Sequence, residues 1–348
     1  MKRAFASLLA VCTLALPAGA FAAPNAALKA VFEKRADLQG LFEPDTYLSK
    51  PDAKTPLVSL EDWARQYGWR ERNDLAAYAP PAKRRPSKIA KAAAVPKVSA
   101  DAYVVIDRGS GLILADKDAG KPHPVASLTK LVTVGVALDE GVKKNGAYTI
   151  RAADDVGGAK LYVDDGAGIS GDDLFFSTLV ASANNAANAL ARVTGLSRAS
   201  FVDAMNGTAK TLGLPRTSFV DPAGIRPENV STPRELAIIA DKAFAREEIK
   251  RYVTTAVHDV HTADETKRLK NSNWMLWKPE YDDLYVTGGK TGYLDEAGWN
   301  LAVGLKGGAS KPELLLVTFG SDTRAASFQD ARKLAQWAWK NHRWTSAN

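Results

Sequence analysis

The feature that most limits how this chain can fold is the position of its β-type runs, at both ends of a long helical stretch. "AYVVIDRGSGLILAD" holds two such runs, residues 102–106 and 112–115, joined by a Gly-Ser-Gly turn, which reads as a hairpin. Further runs at 285–287, 290–293, 300–305 and 313–319 lie near the other end. Between them, "GDDLFFSTLVASANNAANALARV" reads as a helix, a break near residues 182–184 and a second helix. "RASFVDAMNGTAKTLGL" is helical and stops at Gly213, and Thr232, Pro233 and Glu235 cap another helix with proline at its first position. Phe328, Ala331, Ala335 and Ala338 line one face of a last helix. Strands so far apart can share a sheet only if the two ends meet. This predicts an α+β fold: an antiparallel sheet flanked by helices, plus a mostly helical subdomain.

The chain begins Met1-Lys2-Arg3, runs through an apolar stretch to Leu16 and reaches small residues at 17–23. That pattern predicts a secretory signal peptide over residues 1–22, cut after Ala22. The apolar run falls short of the roughly 20 residues of a membrane span, so no transmembrane anchor is expected in the mature chain. The only cysteine, Cys12, lies inside the signal. A mature chain then has no disulfide, thiolate metal site or cysteine nucleophile, and its expected location is the periplasm.

The net charge of +7 is concentrated in "PPAKRRPSKIAKAAAVPK", residues 80–97, which has six basic residues and no acid. Proline, alanine and like charges predict a solvated basic linker over 80–98. Its charge suits anionic polymers or lipid head groups, while export argues against nucleic acid. Residues 23–79 read as a small accessory segment with one amphipathic helix after a capping box at Ser59-Leu60-Glu61-Asp62. The remaining domain spans 99–345.

"PVASLTKLVTV", Pro124 to Val134, puts Ser127 and Lys130 three residues apart in an apolar helical run, where side chains meet. Serine is a weak nucleophile until a base takes its proton. Burial disfavours the ammonium form of a lysine, and a helix N-terminus disfavours it further. A hydroxyl beside a desolvated amine is thus a nucleophile and base pair, although a cap with a snorkelling lysine has the same spacing. Two further motifs follow: "SAN" at Ser182–Asn184, and "GGKTGY", which sets Lys290 and Thr291 on a strand beside Gly292, where a ligand can approach the backbone.

The order Ser-x-x-Lys, Ser-x-Asn, Lys-Thr-Gly is that of the active-site serine penicillin-recognising enzymes. With "VVIDRGSGLILADKD", "LGLPRTSFVDPAGI", "VSTPRELA" and "KTGYLDEAGWNLAV", residues 100–343 resemble the low-molecular-mass penicillin-binding proteins, serine D-alanyl-D-alanine carboxypeptidases and endopeptidases. The resemblance implies the penicillin-binding/β-lactamase-like fold and cleavage of D-alanyl bonds in peptidoglycan stem peptides through an acyl-enzyme. β-Lactam antibiotics would be covalent inhibitors, and no cofactor or metal is implied. Ser127 would be the nucleophile, Lys130 its base, and Ser182 the relay to the leaving amine. Asn184, Lys290, Thr291, Gly292 and Tyr293 would bind substrate, with the Ser127 and Tyr293 N–H groups as oxyanion hole. One departure is Ala183, where the family more often has glycine; alanine fits only if its φ is negative. The chain stops after its last helix, without the extra β-rich domain of the familiar carboxypeptidases, which leans toward an endopeptidase.

Two other readings stand beside this one. A β-lactamase shares the serine chemistry, but no Glu-x-x-Leu-Asn stretch lies between Ser182 and Lys290. A non-catalytic cell-wall binding protein could use the same groove with the basic linker. Arg324 is either a cation for a carboxylate or a surface residue. His258 and His261 sit in an extended stretch, where i and i+3 face opposite sides, which is poor for a shared metal. Trp274, Trp277 and Trp299 could line a groove, with core packing the default, and Asp154, Asp155, Asp164 and Asp165 are expected as solvated loop acids.

Overall fold

The computed structural model describes residues 34, 42–44, 69–71, 85–263, 265–308 and 311–345. The chain divides into two units, Met1–Ala82 and Lys83–Asn348. In the first, Phe42–Pro44 pairs antiparallel with Trp69–Glu71. The expected signal peptide and the capping box at 59–62 lie outside the described residues.

In the second unit, strands β1 (Ala102–Asp107) and β2 (Ile113–Lys117) form the expected hairpin. Asp107 shapes its turn, accepting from the Ser110 N–H at 3.0 Å. A 3-10 turn, Ala126–Thr129, leads into helix α1 (Lys130–Asp139). Then come α2 (Gly171–Leu179), α3 (Asn184–Val193), α4 (Arg198–Thr211), α5 (Pro233–Ala245) and α6 (Glu247–Thr254). A side hairpin of β3 (Val257–His261) and β4 (Thr266–Lys270) follows. Strands β5 (Tyr285–Leu294), β6 (Gly298–Lys306) and β7 (Leu314–Ser321) precede the last helix, α7 (Arg324–Asn341).

The sheet is antiparallel in the order β5-β6-β7-β1-β2, so the two ends meet where β7 pairs with β1. The runs at 285–287 and 290–293, read as separate, are one strand with an irregularity between Val286 and Gly288. Side chains alternate faces along a strand. Leu315, Val317 and Phe319 of β7 join the core with α1 to α5, while Leu314 and Leu316 join a second core under α7. The face predicted for α7, Phe328, Ala331, Ala335 and Ala338, is fully buried there. Among the described residues no helix is long and apolar enough to cross a membrane.

The basic linker reading needs correction over 85–98. Arg85–Lys88 pairs antiparallel with His342–Thr345, Ala93 donates to Asn341 Oδ1 at 2.6 Å, and Trp337 Nε1 donates to Ala93 O at 2.9 Å. Val95 and Val98 pack on the second core. Composition suggests a tether because the lysines point outward, but the backbone groups and sparse aliphatics dock along α7. Pro86 is tolerated on this two-stranded edge.

Asp154 also departs from its reading as a solvated acid. It is buried, and Arg192 grips both its oxygens, at 2.9 and 2.7 Å. Asp155 does face solvent and pairs with Lys160 at 2.6 Å. His258 meets no metal cluster among the described residues; it bonds Asp173 at 2.7 Å and stacks on Phe176.

Candidate active site

Ser127 sits in the 3-10 turn before α1, and Lys130 is the first residue of the α-helix. The sequence pattern puts both on one α-helical turn; a 3-10 turn brings i and i+3 into eclipse and closer still. Ala126 holds φ at 51°, a left-handed conformation unusual for alanine, which turns Ser127 out of the helix line. Lys130 Nζ lies 2.8 Å from Ser127 Oγ, 2.8 Å from Asn184 Oδ1 and 2.6 Å from Ala223 O. The lysine is fully buried, and desolvation pulls its pKa down to about 7 against a weaker opposing pull from Asp221.

The break between α2 and α3 carries Ser182 with φ at 61° and Ala183 with φ at −64°. Alanine therefore fits at 183, and the strained residue is the serine. Asn184 opens α3 and faces two ways: Oδ1 accepts from Lys130, while Nδ2 donates to Gly157 O at 2.7 Å. One of its two amide hydrogens stays uncommitted.

Strand β5 forms the opposite wall. Lys290 Nζ is buried and donates to Ser182 Oγ and to Thr291 O, both at 2.8 Å. Burial, then Lys130 and Arg324, push its pKa well below the ordinary lysine value. Gly292 is where the strand passes the Ser127 turn: a Cβ there would stand 2.9 Å from Val125 O and 3.2 Å from Ser127 N. Tyr293 stacks on Trp299 with ring centroids 4.3 Å apart, so Trp299 is a cleft wall rather than core. The three motifs thus converge on one cleft of about 620 Å³, which Ser127, Ser182, Asn184, Thr291, Gly292 and Tyr293 line. Arg324 reaches it too, from the start of α7.

Three groups in the site fall outside the residues singled out by sequence. Asp221 is buried and accepts from the N–H groups of Ala223, Gly224 and Arg226 and from Asn229 Nδ2. That nest fixes the Ala223 carbonyl on Lys130. Gly224 cannot be replaced without a clash, because a Cβ would stand 2.1 Å from Ala126 O and φ is 72°. Ser272, between two buried asparagines, touches Thr291. The available signals were "DPAG" and "NSN", turn-forming strings that reveal nothing of what they face.

The profile of the family described as D-alanyl-D-alanine carboxypeptidase matches residues 89–323. A D-alanyl-D-alanine endopeptidase of Haemophilus influenzae is 33% identical over 204 residues, 58% of this chain and 69% of that protein. The D-alanyl-D-alanine carboxypeptidase DacC of Escherichia coli is 32% identical over 258 residues, covering 70% of this chain and 62% of its own length. Among solved structures, the Streptomyces K15 DD-transpeptidase superposes with a TM-score of 0.64 at 26% identity, over 71% of this chain and all of that one. Penicillin-binding protein D2 from Listeria monocytogenes, solved in its cefotaxime-bound form, gives 0.61 at 26%, over 71% of this chain and 99% of that one.

Proposed function

The chain belongs to the D-alanyl-D-alanine carboxypeptidase family, and from that premise we propose that it is a serine DD-peptidase cleaving D-alanyl peptide bonds of peptidoglycan stems outside the cytoplasmic membrane. The observation that carries this reading is the 2.8 Å approach of a fully buried Lys130 amine to Ser127 Oγ.

Hydrogen-bond bookkeeping supports Lys130 as base. A neutral amine has two N–H donors and one lone pair. Asn184 Oδ1 and Ala223 O have no proton to give, so they take the two donors. The lone pair is left for the Ser127 hydroxyl. Ser127 Oγ attacks the D-alanyl carbonyl and its proton passes to Lys130 Nζ. The carbonyl oxygen becomes an oxyanion within reach of the Ser127 and Tyr293 N–H groups. As the C–N bond breaks, the leaving amine takes a proton by way of Ser182, whose oxygen accepts from Lys290. Water then attacks the acyl ester, releasing the shortened peptide and restoring the Ser127 hydroxyl. Asn184 binds the substrate amide through its uncommitted N–H. Lys290 and Arg324 supply positive charge, and Thr291 a hydroxyl, for the carboxylate beside the scissile bond.

Incubation with fluorescent penicillin should label Ser127 in a long-lived adduct; rapid turnover of the drug would indicate a β-lactamase instead. Digestion of purified muropeptides, read by mass spectrometry, separates the two leaving groups. Free D-alanine marks a carboxypeptidase, and conversion of cross-linked dimers to monomers marks an endopeptidase. Loss of neither product from Ser127→Ala would refute the mechanism.

A further inference from the structure

The Asp221 nest carries a charge that its shape does not need. Oδ1 accepts from the N–H groups of Ala223 at 2.8 Å and Gly224 at 2.6 Å. Oδ2 accepts from the Arg226 N–H at 3.0 Å and from Asn229 Nδ2 at 2.6 Å. All four partners are donors, the complement of an ionised carboxylate. Arg226 gives its guanidinium to Glu228 at 2.9 Å, and among the described residues Asp221 makes no ion pair. Burying a charge in this way is costly, and a neutral asparagine builds the same kind of turn. The turn explains the shape of the loop but not its charge.

The surroundings of the two buried lysines supply a reason. Burial disfavours the ammonium form of both, and at Lys290 the neighbouring cations Lys130 and Arg324 add to it with no carboxylate in opposition. At Lys130 the opposing charge is Asp221. The charged groups facing Lys130 are thus Asp221, from the loop before α5, and Lys290, from β5, while α3 presents the neutral Asn184. Asp221 for its part faces Lys130 and, at the surface, Arg226. When Lys130 takes the Ser127 proton, a second ammonium-type charge forms beside Lys290, out of solvent. Coulomb interactions are strong in such a setting, so a fixed negative charge nearby decides how readily that proton is held.

We propose that Asp221, which belongs to none of the three motifs, is a positioning residue whose buried charge stabilises the ammonium that Lys130 becomes, and so makes Lys130 rather than Lys290 the base. The proton moves from Ser127 Oγ to Lys130 Nζ and goes no further; Asp221 accepts none of it. The proposal rests on the DD-peptidase reading and names the group that sets the strength of its base.

The test is the rate of acylation by fluorescent penicillin between pH 5 and 9, on the full chain and on Asp221→Asn. The amide keeps the size of the side chain and removes its charge. Without that charge the ammonium form of Lys130 is less favoured, so the amine is neutral at lower pH. The rising limb of the profile should therefore move to the acid side by about one pH unit. The plateau above it should fall up to about tenfold, because a weaker base takes the Ser127 proton less readily. Asp221→Ser, whose hydroxyl can accept from the same N–H groups, serves if the amide variant folds poorly. A rate lowered at every pH with the limb unmoved would mean that Asp221 only shapes the loop, and would overturn the proposal. So would a limb displaced to the basic side. If the wild-type chain forms no penicillin adduct at any pH, the DD-peptidase reading itself fails, a result distinct from any position of the limb.

Discussion

The cleft holds two serine–lysine pairs that look alike and are built differently. In each, a buried lysine nitrogen lies 2.8 Å from a serine oxygen. Ser127 and Lys130 are three residues apart on one turn, whereas Ser182 and Lys290 are 108 residues apart and meet only because β5 passes the α2–α3 break. Their surroundings differ as well. Lys130 has two carbonyl-type acceptors besides its serine and the Asp221 carboxylate nearby. Lys290 has one carbonyl and two cations as neighbours. A pair with proton acceptors on two sides is arranged to keep its lone pair on the third, the arrangement of a base. A pair crowded by positive charge suits the part proposed for it, an electrophilic wall that relays a proton.

That contrast can be broken by experiment. Lys130→Ala should produce the largest loss, about 10²–10⁴-fold in the rate of penicillin acylation by stopped-flow fluorescence. If Lys290→Ala is equally slow in acylation but Lys130→Ala is not, the roles are reversed. Gly292→Ala comes next. Its methyl group would push β5 off the Ser127 turn and misplace the oxyanion donors, costing about 10²–10³-fold with the melting temperature nearly unchanged.

The pH profile sharpens the comparison with a smaller effect. As the proposed base Lys130 must be neutral, and burial pulls its pKa down to about 7. The acylation rate should therefore rise with pH through about 7 and level off above it. A profile flat from pH 5 to 9 would remove Lys130 as the titrating base. The smallest effect on activity belongs to Asp154→Asn, whose carboxylate bonds Arg192 and neither pair. Weakening the Arg192 grip should cost about 2 kcal/mol of stability in urea titration while leaving acylation at the wild-type rate.

The legibility of these regions in sequence follows the same division. The Ser127–Lys130 pair is visible because helical geometry relates i and i+3 without help from the rest of the chain. The strands were visible as alternating or apolar runs, and the α7 face as a helical stripe. The 85–98 segment was misread because basic and proline-rich composition describes what the side chains do in water. It says nothing of the backbone hydrogen bonds that dock the segment on α7. Asp154 was misread for a related reason: its partner, Arg192, lies 38 residues away on α3.

By itself, then, the sequence determined the main strands and helices and the meeting of Ser127 with Lys130, which depend on spacing within a few residues, and it carries the three motifs in order. The tertiary structure decided which lysine faces which oxygen, that Asp221 fixes the Ala223 carbonyl, and that Ser272 stands between Thr291 and Arg324. Those contacts join segments far apart along the chain. They exist only once burial of the two cores holds the sheet, the α2–α3 break and α7 in one arrangement.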